Sequence, residues 1–473
     1  MKIISRKAEI QELMQCQRSG KPELVYVYGR RRVGKTFLVE QTFAGTFAFR
    51  ATGVEGGNTR QQLKAFHQRL KEHGDDIKTI PKDWFEAFSR LHKVLSRSDV
   101  VLSSYDKKIV FFDEFPWFAT ARSDFLMAFG EFWNRCGTES GNLMFIICGS
   151  ATSWIIKNVL DNTGSLYHRV TCQIYLEPFT LRETEQFFID REFGWTRTQI
   201  MECQMIFGGL PYFLDLLSSN ESLRQNIDRL LFSPRALLRD ESNRLLEATL
   251  KRSPVYGQIL ELLSDKRYGM SRVTCRETLR HPEGTFSRAI EDLIKCGYII
   301  EYKRHLEKRN PAYIQLADPF LLFHYHFISQ SQEIFSYGEL SREGGVFSNW
   351  RGHAFELLCF HHTDQIKSAL GISGVRTRCF PWMSTKKNSA AQIDLVIERD
   401  DQITDLCEMK CTDRPFTISK EYEQKLLAKK DVFQNETGTK QALKLVMVCP
   451  EGISGTAHTE HISNVITIDD LFV

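Results

Sequence analysis

The residue pattern with the most specific chemistry lies near the start of the chain, where residues 29–36 read GRRRVGKT and match GxxxxGK(S/T). An apolar run at residues 24–28 precedes the motif and helix-forming spacing at residues 37–41 follows it, which predicts a strand, a loop and a helix. Glycines in such a loop let backbone N–H groups surround an anion, and the helix N-terminus adds its positive end. Lys35 would reach the β- and γ-phosphates and Thr36 would hold Mg²⁺. The motif therefore predicts a site for ATP and Mg²⁺. The residues predicted to contact the nucleotide here are Gly29, Arg32, Val33, Gly34, Lys35 and Thr36.

A second acidic element, which such a site needs to hold the metal and activate water, follows an apolar run at residues 107–112. Asp113, at the tip of that predicted strand, would belong to the Mg²⁺ shell, and Glu114 would polarise the attacking water as general base. An apolar run followed by Asp-Glu is common and is usually structural. The position of this one downstream of the phosphate loop favours the catalytic interpretation.

A third predicted strand, residues 142–148, ends in the small polar sequence GSAT at residues 149–152. In additional-strand P-loop ATPases a small polar residue at this point senses the γ-phosphate, which makes Ser150 the first candidate and Thr152 the second. The same residues suit a helix N-cap that follows a strand. Both interpretations are open at this point.

Several motifs occur in an order that resembles the archaeal and bacterial ATPase family of the AAA+/STAND superfamily, whose members carry a nuclease-like C-terminal domain. They are Ile4-Ser5-Arg6 with Glu9, GRRRVGKT, FFDEFPWF, ICGS, LYHR and FGGLPYFL, and the resemblance covers nearly the whole chain.

The resemblance implies roles for two further residues. Pro211, in the FGGLPYFL segment, would pack near the adenine. Arg169, in LYHR, matches a basic position that serves relatives as an arginine sensor or finger. Because such ATPases often place a neighbour's arginine against the γ-phosphate, the resemblance implies an ATP-dependent homo-oligomer. A STAND-like monomer that uses its own Arg169 is the alternative.

The middle of the chain has the element order of a winged helix, with predicted helices at residues 256–263, 271–278 and 285–294 and a predicted strand at 298–303. Such a module often reads DNA by placing its third helix in the major groove. In AAA+ and STAND proteins it also serves as a structural lever, and both roles are open. The residues that would contact DNA are Ser287, Arg288, Arg272, Arg276, Arg280 and Lys303.

The chain changes character from about residue 349, where the pattern predicts a helix, three strands, a second helix and a further strand. This order resembles the PD-(D/E)XK nuclease core. The helices are predicted to begin at Trp350 and to span residues 420–433. The predicted strands lie near residues 375–380 and at 392–397, 402–410 and 443–449.

Four residues of this C-terminal region carry the chemistry. Glu408 and Lys410 are two positions apart on one strand and face the same side. Asp394 on the partner strand can meet Glu408 to bind Mg²⁺ or Mn²⁺, and Lys410 can orient a water or steady the charge of the phosphorane. Glu356 on the preceding helix would complete the metal shell. Gln392 departs from the acidic residue that many relatives carry two positions before the aspartate, which leaves the main triad intact.

Composition sets the broad class of the protein. With 473 residues the chain is too long for one ordinary core, and 42% hydrophobic and 26% charged residues are typical of globular domains. The cysteines include no CxxC pair, which argues against a zinc or disulfide framework. The N-terminus lacks an apolar signal region and no apolar run approaches the length of a membrane span, so a cytoplasmic protein without membrane contact is expected.

These observations predict an α/β chain of five parts. They are a P-loop ATPase core at residues 1–175, a helical lid at 176–240, a winged helix at 241–310, a connector at 311–345 and an α/β PD-(D/E)XK nuclease-like domain at 346–473. The first functional hypothesis is an ATPase that couples nucleotide state to DNA binding and Mg²⁺-dependent DNA cleavage. The second is a nucleotide-switched DNA- or protein-binding regulator with an inert nuclease-like domain.

Overall fold

The computed structural model describes most of the chain and divides it into two compact units, Met1–Glu177 and Pro178–Val473. The described residues are 3–97, 99–140, 142–149, 154, 159, 169–249, 253–303, 312–329, 336–342, 344–384, 391–455 and 457–473. Each unit has its own sheet and is described by itself below.

A five-stranded parallel sheet with the strand order β2-β3-β4-β1-β5 forms the centre of the first unit. The strands are β1 (Glu23–Gly29), β2 (Phe47–Thr52), β3 (Lys108–Asp113), β4 (Leu143–Cys148) and β5 (Cys172–Leu176). The additional strand β4 lies between the strand before the phosphate loop and the acidic strand, as the sequence predicts. Consequently β1, β3 and β4 present their carboxyl ends at one edge of the sheet.

Helices and an aromatic core stabilise this sheet. The helices are α1 (Lys7–Arg18), α2 (Lys35–Thr42), α3 (Thr59–Glu72), α4 (Trp84–Leu95) and α5 (Phe125–Ser140). Strand β3 is buried along almost its whole length, which is typical of a parallel strand covered on both faces. Phe112 of this strand lies 6.2 Å, ring centre to ring centre, from Phe88 of α4 and 4.8 Å from Phe145 of β4. This packing fixes the position of Asp113, the next residue after Phe112.

The second unit begins with a run of helices. Three of them start with a capping box at the N-terminus, with Thr180, Thr196 and Ser222 as the N-cap residues. They are α6 (Leu181–Ile189), α7 (Arg197–Phe207), α8 (Pro211–Asp215), α9 (Leu223–Ile227) and α10 (Glu241–Thr249). Gly209, between α7 and α8, has a φ of 65°, and a Cβ atom there would lie 2.3 Å from the Phe179 carbonyl oxygen. Only glycine fits this close approach, which positions the start of α8.

A three-stranded antiparallel sheet with the order β6-β8-β7 follows, packed with three helices. We call residues 254–316 the middle segment. Its elements are α11 (Pro254–Ser264), β6 (Met270–Ser271), α12 (Arg272–Leu279), α13 (Glu283–Lys295), β7 (Ile299–Lys303) and β8 (Ala312–Leu316). The predicted helices and the strand at 298–303 are present. Strand β8 was not predicted, because its five residues were assigned to the connector, and it owes its place to pairing with β7.

The C-terminal part of the second unit contains a five-stranded mixed sheet with the order β15-β13-β11-β10-β9. Strands β9, β10 and β11 are antiparallel neighbours, and β11, β13 and β15 run parallel. The strands are β9 (Thr377–Met383), β10 (Gln392–Arg399), β11 (Ile403–Met409), β13 (Ala442–Val448) and β15 (Ile462–Ile466), and a separate pair is formed by β12 (Phe416–Thr417) and β14 (Ile453–Ser454).

The remaining helices are α14 (Pro319–Phe323), α15 (Tyr337–Leu340), α16 (Gly344–His361), α17 (Thr363–Ala369), α18 (Lys420–Thr437) and α19 (Ile468–Leu471). The predicted order of helix, three strands, helix and strand is present. The helix predicted from Trp350 begins earlier, at Gly344, and β12, β14, β15 and α19 were not predicted. Among the described residues, no helix combines the length and the apolar character needed to cross a membrane.

Candidate nucleotide site and acidic site

The phosphate loop connects the buried strand β1 to helix α2 in the first unit. Arg32 and Gly34 have positive φ angles of 74° and 93°, and Gly34 is the N-cap of α2. Gly29 has a φ of 142°, and a Cβ atom there would lie 2.3 Å from the Leu176 carbonyl oxygen of β5. Backbone turned in this way directs successive N–H groups into one concavity, and such concavities bind anions.

Lys35 is buried beneath this loop, with 6% of its surface exposed. Its Nζ donates hydrogen bonds to the carbonyl oxygens of Gly29, at 3.0 Å, and Arg30, at 2.8 Å. Burial lowers the pKa of Lys35, and the neighbouring carboxylates of Asp113 and Glu114 counteract part of that effect. The ammonium is therefore held at the loop by weak carbonyl partners, which a phosphate can replace.

Asp113 and Thr36 meet at the carboxyl edge of the sheet. The Thr36 hydroxyl donates to the Asp113 carboxylate at 3.0 Å, and the Glu114 backbone N–H donates to the same carboxylate at 2.9 Å. The Cys148 thiol, at the end of β4, donates to Asp113 at 2.7 Å. Thr36 and Asp113 could hold Mg²⁺ together, since both offer oxygen ligands at one point. Cys148 was not predicted as a site residue, although its position at the end of an apolar strand was a usable signal.

The other predicted nucleotide residues are spread over both units. Val33 is buried inside the loop, and Glu114 follows Asp113 with a φ of 47° and a partly exposed side chain. Ser150 and Thr152 lie outside the described residues. Pro211 is the first residue of α8 in the second unit.

Arg169 is exposed and lies at the amino edge of the parallel sheet of the first unit. It precedes β5, in which Cys172 pairs with Val25 and Leu176 pairs with Gly29. Gly29 begins the phosphate loop at the other edge, so the five residues of β5, on the order of 16 Å, separate that edge from the one at which Arg169 lies.

The acidic site lies on β10 and β11 of the second unit. The register that pairs Leu395 with Cys407 brings Asp394 beside Glu408. Asp394 also lies where the pairing of β10 with β9 shifts, between Ile393 and Val396. Such irregularities re-aim a side chain and are frequent beside functional sites. The sequence prediction that Asp394 and Glu408 meet is therefore supported by the strand register.

Glu408 is buried and receives three donors. The Tyr422 hydroxyl lies 2.8 Å from Oε1, the Lys410 ammonium 3.0 Å from Oε1, and the Lys429 ammonium 2.6 Å from Oε2. Burial alone would raise the pKa of Glu408, but the two lysines more than compensate and lower it. Burial and the Glu408 carboxylate raise the pKa of the neighbouring Asp394. The pair thus combines two close carboxylates with two cations.

Glu356, the third predicted acidic residue, is on α16 and pairs with a residue that the sequence did not indicate. Two nitrogens of one guanidinium edge of Arg267, in the middle segment, donate to its carboxylate: Nη2 to Oε1, and Nε to Oε2 at 2.5 Å. The Tyr268 hydroxyl donates to Asp394 Oδ1 at 3.0 Å. Within the described residues, no group of three or more His, Cys, Asp or Glu side chains is arranged to hold a metal ion.

The basic residues of the middle segment are partly engaged with acidic ones. Arg272 pairs with Glu301 at 3.0 Å, and Arg276 pairs with Glu283 of α13. The Ser287 hydroxyl also donates to Glu283, at 2.8 Å. Three of the predicted DNA-contacting residues are exposed in the structure: Arg280, Arg288 and Lys303.

The chain is similar to known ATPases. Residues 3–217 match the family described as an ATPase domain predominantly from Archaea. An uncharacterized protein of Methanocaldococcus jannaschii, MJECL04, is 23% identical over 361 residues, which is 75% of each chain. Among solved structures, the Walker-type ATPase PABY2304 of Pyrococcus abyssi matches 68% of this chain and 96% of its own, with a TM-score of 0.50 and 19% identity. The first 217 residues therefore contain a P-loop ATPase domain, the class that binds and hydrolyses ATP.

Proposed function

We propose that this protein hydrolyses ATP at the phosphate loop and uses its nucleotide state to control DNA binding and Mg²⁺-dependent DNA cleavage by its C-terminal part. The observation that carries the second half of this proposal is the buried pair of Asp394 and Glu408, beside which Lys410 lies 3.0 Å from a Glu408 oxygen. Two close carboxylates and a lysine are the residue types that metal-assisted phosphodiester hydrolysis requires.

In the nucleotide site, each residue has a separate task. The loop from Gly29 to Thr36 binds the phosphates through its backbone N–H groups, and Lys35 exchanges its carbonyl partners for phosphate oxygens. Thr36 and Asp113 would hold Mg²⁺, and Glu114 would take the proton of the attacking water. Ser150 senses the γ-phosphate and Pro211 packs against the adenine, as the family resemblance implies.

In the acidic site, Glu356, Asp394 and Glu408 would hold Mg²⁺ or Mn²⁺, which when bound neutralises phosphate charge and lowers the pKa of a water ligand. Asp394 and Glu408 fit this role because they are close together and offer only oxygen donors. Lys410 would stabilise the negative charge that develops on the phosphorane oxygens while the water oxygen bonds to phosphorus, and the ester oxygen would leave with the proton that the water gives up.

The middle segment is proposed to be a winged helix that contacts DNA. Its order of helices and small antiparallel sheet fits that module, and Arg288 lies exposed on the third helix, α13. Arg280 and Lys303 add exposed positive charge before that helix and on β7. Such residues bind phosphates and make the affinity depend on salt.

The test of cleavage is a Glu408→Gln variant of the full chain. Loss of the carboxylate should abolish Mg²⁺- or Mn²⁺-dependent cutting of plasmid and linear DNA while ATP turnover continues. Glu423→Gln is a matched control, since Glu423 also begins an ExK triplet but lies on helix α18. If wild-type protein cuts neither single- nor double-stranded DNA with either metal, with or without ATP, the cleavage proposal is wrong.

A second candidate is a nucleotide-switched regulator that binds DNA or a protein and has an inert acidic site. The contact of Arg267 with Glu356 favours it, because a guanidinium there opposes a metal ion. Under this proposal a Lys35→Ala variant should lose the effect of ATP on DNA affinity, measured by fluorescence anisotropy. DNA binding that is equally tight with and without ATP in the wild-type protein would contradict a switch.

A further inference from the structure

A short turn of the middle segment, residues 265–269 between α11 and β6, lies against the acidic site. Its backbone is fixed from two strands, since the Tyr302 hydroxyl donates to the Tyr268 carbonyl oxygen at 2.5 Å and the Gln315 amide to the Arg267 carbonyl oxygen at 2.7 Å. Gly269 has a φ of 62°, and a Cβ atom there would lie 2.4 Å from the Ile314 carbonyl oxygen. The turn is therefore held in one conformation by β7 and β8.

Two consecutive side chains of this turn reach the predicted metal ligands. Arg267 makes a two-point contact with the Glu356 carboxylate, which is 8% exposed, and Tyr268 donates to Asp394, which is also 8% exposed. The two contacts join residues 89 and 126 positions apart in the chain. The middle segment thus contributes one cation and one hydroxyl donor to the acidic site.

The contacts of the turn and those from other parts of the second unit together engage every carboxylate oxygen of Glu356, Asp394 and Glu408. Arg267 uses both oxygens of Glu356, and Tyr268 and the Met409 backbone N–H, the latter at 2.8 Å, use one oxygen each of Asp394. Glu408 is engaged on both oxygens by the donors described above. A divalent cation must therefore compete with protein donors for these oxygens.

The guanidinium of Arg267 is the strongest of these competitors. Arginine stays charged at any physiological pH, so it cannot yield by losing a proton. A two-point guanidinium–carboxylate contact is also among the strongest hydrogen-bonded pairs. Lys410 directly follows β11, the strand that carries Glu408, and Lys429 lies on α18. Arg267 and Tyr268, in contrast, belong to the middle segment.

We propose that Arg267 and Tyr268 form an autoinhibitory contact that closes the acidic site against divalent cations until the middle segment, which carries the turn at residues 265–269, withdraws as a unit. This inference rests on the proposed metal-binding role of Glu356, Asp394 and Glu408. The proposal predicts that removing either contact raises the affinity of the acidic site for a divalent cation, which is measurable without DNA and without catalysis.

The test measures Mn²⁺ binding to the full chain, free of nucleotide and DNA, by electron paramagnetic resonance and isothermal titration calorimetry. Only binding that disappears with Asp394→Asn is assigned to the acidic site. Arg267→Gln should tighten this binding by about tenfold or more, because it removes a positive charge next to the ion. Tyr268→Phe, which keeps the ring and the packing, should tighten it to a smaller extent. Arg229→Gln, which removes an arginine of the same unit that is paired with Glu221, should leave it unchanged.

The outcomes separate the inference from the function on which it rests. If wild type, Arg267→Gln and Tyr268→Phe bind Mn²⁺ equally and Asp394→Asn abolishes binding, the metal site exists and the autoinhibitory contact is refuted. If no variant binds Mn²⁺ at Asp394, the proposed metal site fails and the inference fails with it. Should Arg267→Gln not fold, which far-ultraviolet circular dichroism reports, Tyr268→Phe decides alone: an unchanged affinity overturns the proposal.

Discussion

At the scale of single residues, the two sites of this chain hold buried charge in different ways. Lys35 is surrounded by carbonyl dipoles of its own loop, which are weak partners for an ammonium. Glu408 is held by two ammonium groups and a hydroxyl, which are strong partners for a carboxylate. Lys35 can therefore exchange its partners for an anion, whereas a cation at Glu408 must compete with strong partners.

The proposed base of the ATPase reaction gives a prediction at this scale. Glu114→Gln keeps the shape of the side chain but removes its ability to take a proton, so ATP hydrolysis should fall by roughly 10²-fold or more. Nucleotide binding should be retained, because Lys35, Thr36 and Asp113 remain. Phosphate release and binding of a fluorescent ATP analogue measure the two effects. Glu131→Gln, at an exposed position on α5, is the control, and a variant with normal turnover would remove Glu114 from the mechanism.

His324 gives a prediction about pH and stability. Burial lowers its pKa from the ordinary value of 6.5 to about 4, and its Nε2 lies 2.8 Å from the Ser242 hydroxyl. The folded chain keeps this imidazole neutral, and the unfolded chain protonates it below pH 6.5. The His324 contribution is thus fully present above pH 6.5 and is lost as the pH falls towards 4, by about 1.4 kcal/mol per pH unit.

The measurement is the free energy of unfolding of the second unit, determined at several pH values between 7 and 4.5. His324→Gln should flatten its pH dependence, because the amide can still reach Ser242 but does not titrate. His461→Gln, at an exposed position, should leave the slope as in wild type. An identical slope in wild type and His324→Gln would show that His324 does not control acid sensitivity.

At the scale of elements, the sequence predicted the strands and the hairpin whose formation depends on neighbouring residues in the chain. The strand before the phosphate loop, the acidic strand β3 and the β10–β11 hairpin are apolar runs with short connections, and their polar ends follow directly. Asp394 and Glu408 could be paired from that hairpin alone. Arg267 could not be linked to Glu356, because the contact depends on how the middle segment packs against α16. Strand β8 could not be predicted for the same reason, since its five residues become a strand only through pairing with β7.

Gly29 provides a prediction for the junction of β1, the phosphate loop and β5. Gly29→Ala would place a Cβ atom against the Leu176 carbonyl oxygen, so β5 or the loop must move, and ATP affinity and thermal stability should both fall. Gly45→Ala is the matched control, since Gly45 also has a positive φ, 74°, but its Cβ atom would meet nothing within 4 Å. Gly45→Ala should cost about 1 kcal/mol of stability and leave ATP affinity intact. Equal effects of the two variants on ATP affinity would contradict the close-approach argument.

At the scale of the whole molecule, the position of Arg169 bears on how ATP is hydrolysed. The pairing of β5 with β1 places Arg169 at the amino edge of the sheet, whereas the phosphate loop starts at the carboxyl edge. The length of β5, on the order of 16 Å, exceeds the reach of an arginine side chain, which favours the hypothesis that Arg169 acts in trans over a sensor within its own subunit. If Arg169 acts on a γ-phosphate, it acts on that of a second copy of the chain.

The assembly hypothesis therefore predicts a rate that depends on protein concentration. ATP turnover per subunit should rise with concentration as ATP-bound copies associate, and light scattering should show a mass above that of the monomer. Arg169→Ala should lower turnover by on the order of 10³-fold at saturating protein, because the neighbouring subunit no longer supplies a positive charge that stabilises the transition state. ATP binding should stay intact. Arg60→Ala, at another exposed position of the first unit, should behave as wild type. A turnover per subunit that stays constant on dilution, with a monomeric mass throughout, would refute the assembly and leave hydrolysis to residues of a single subunit.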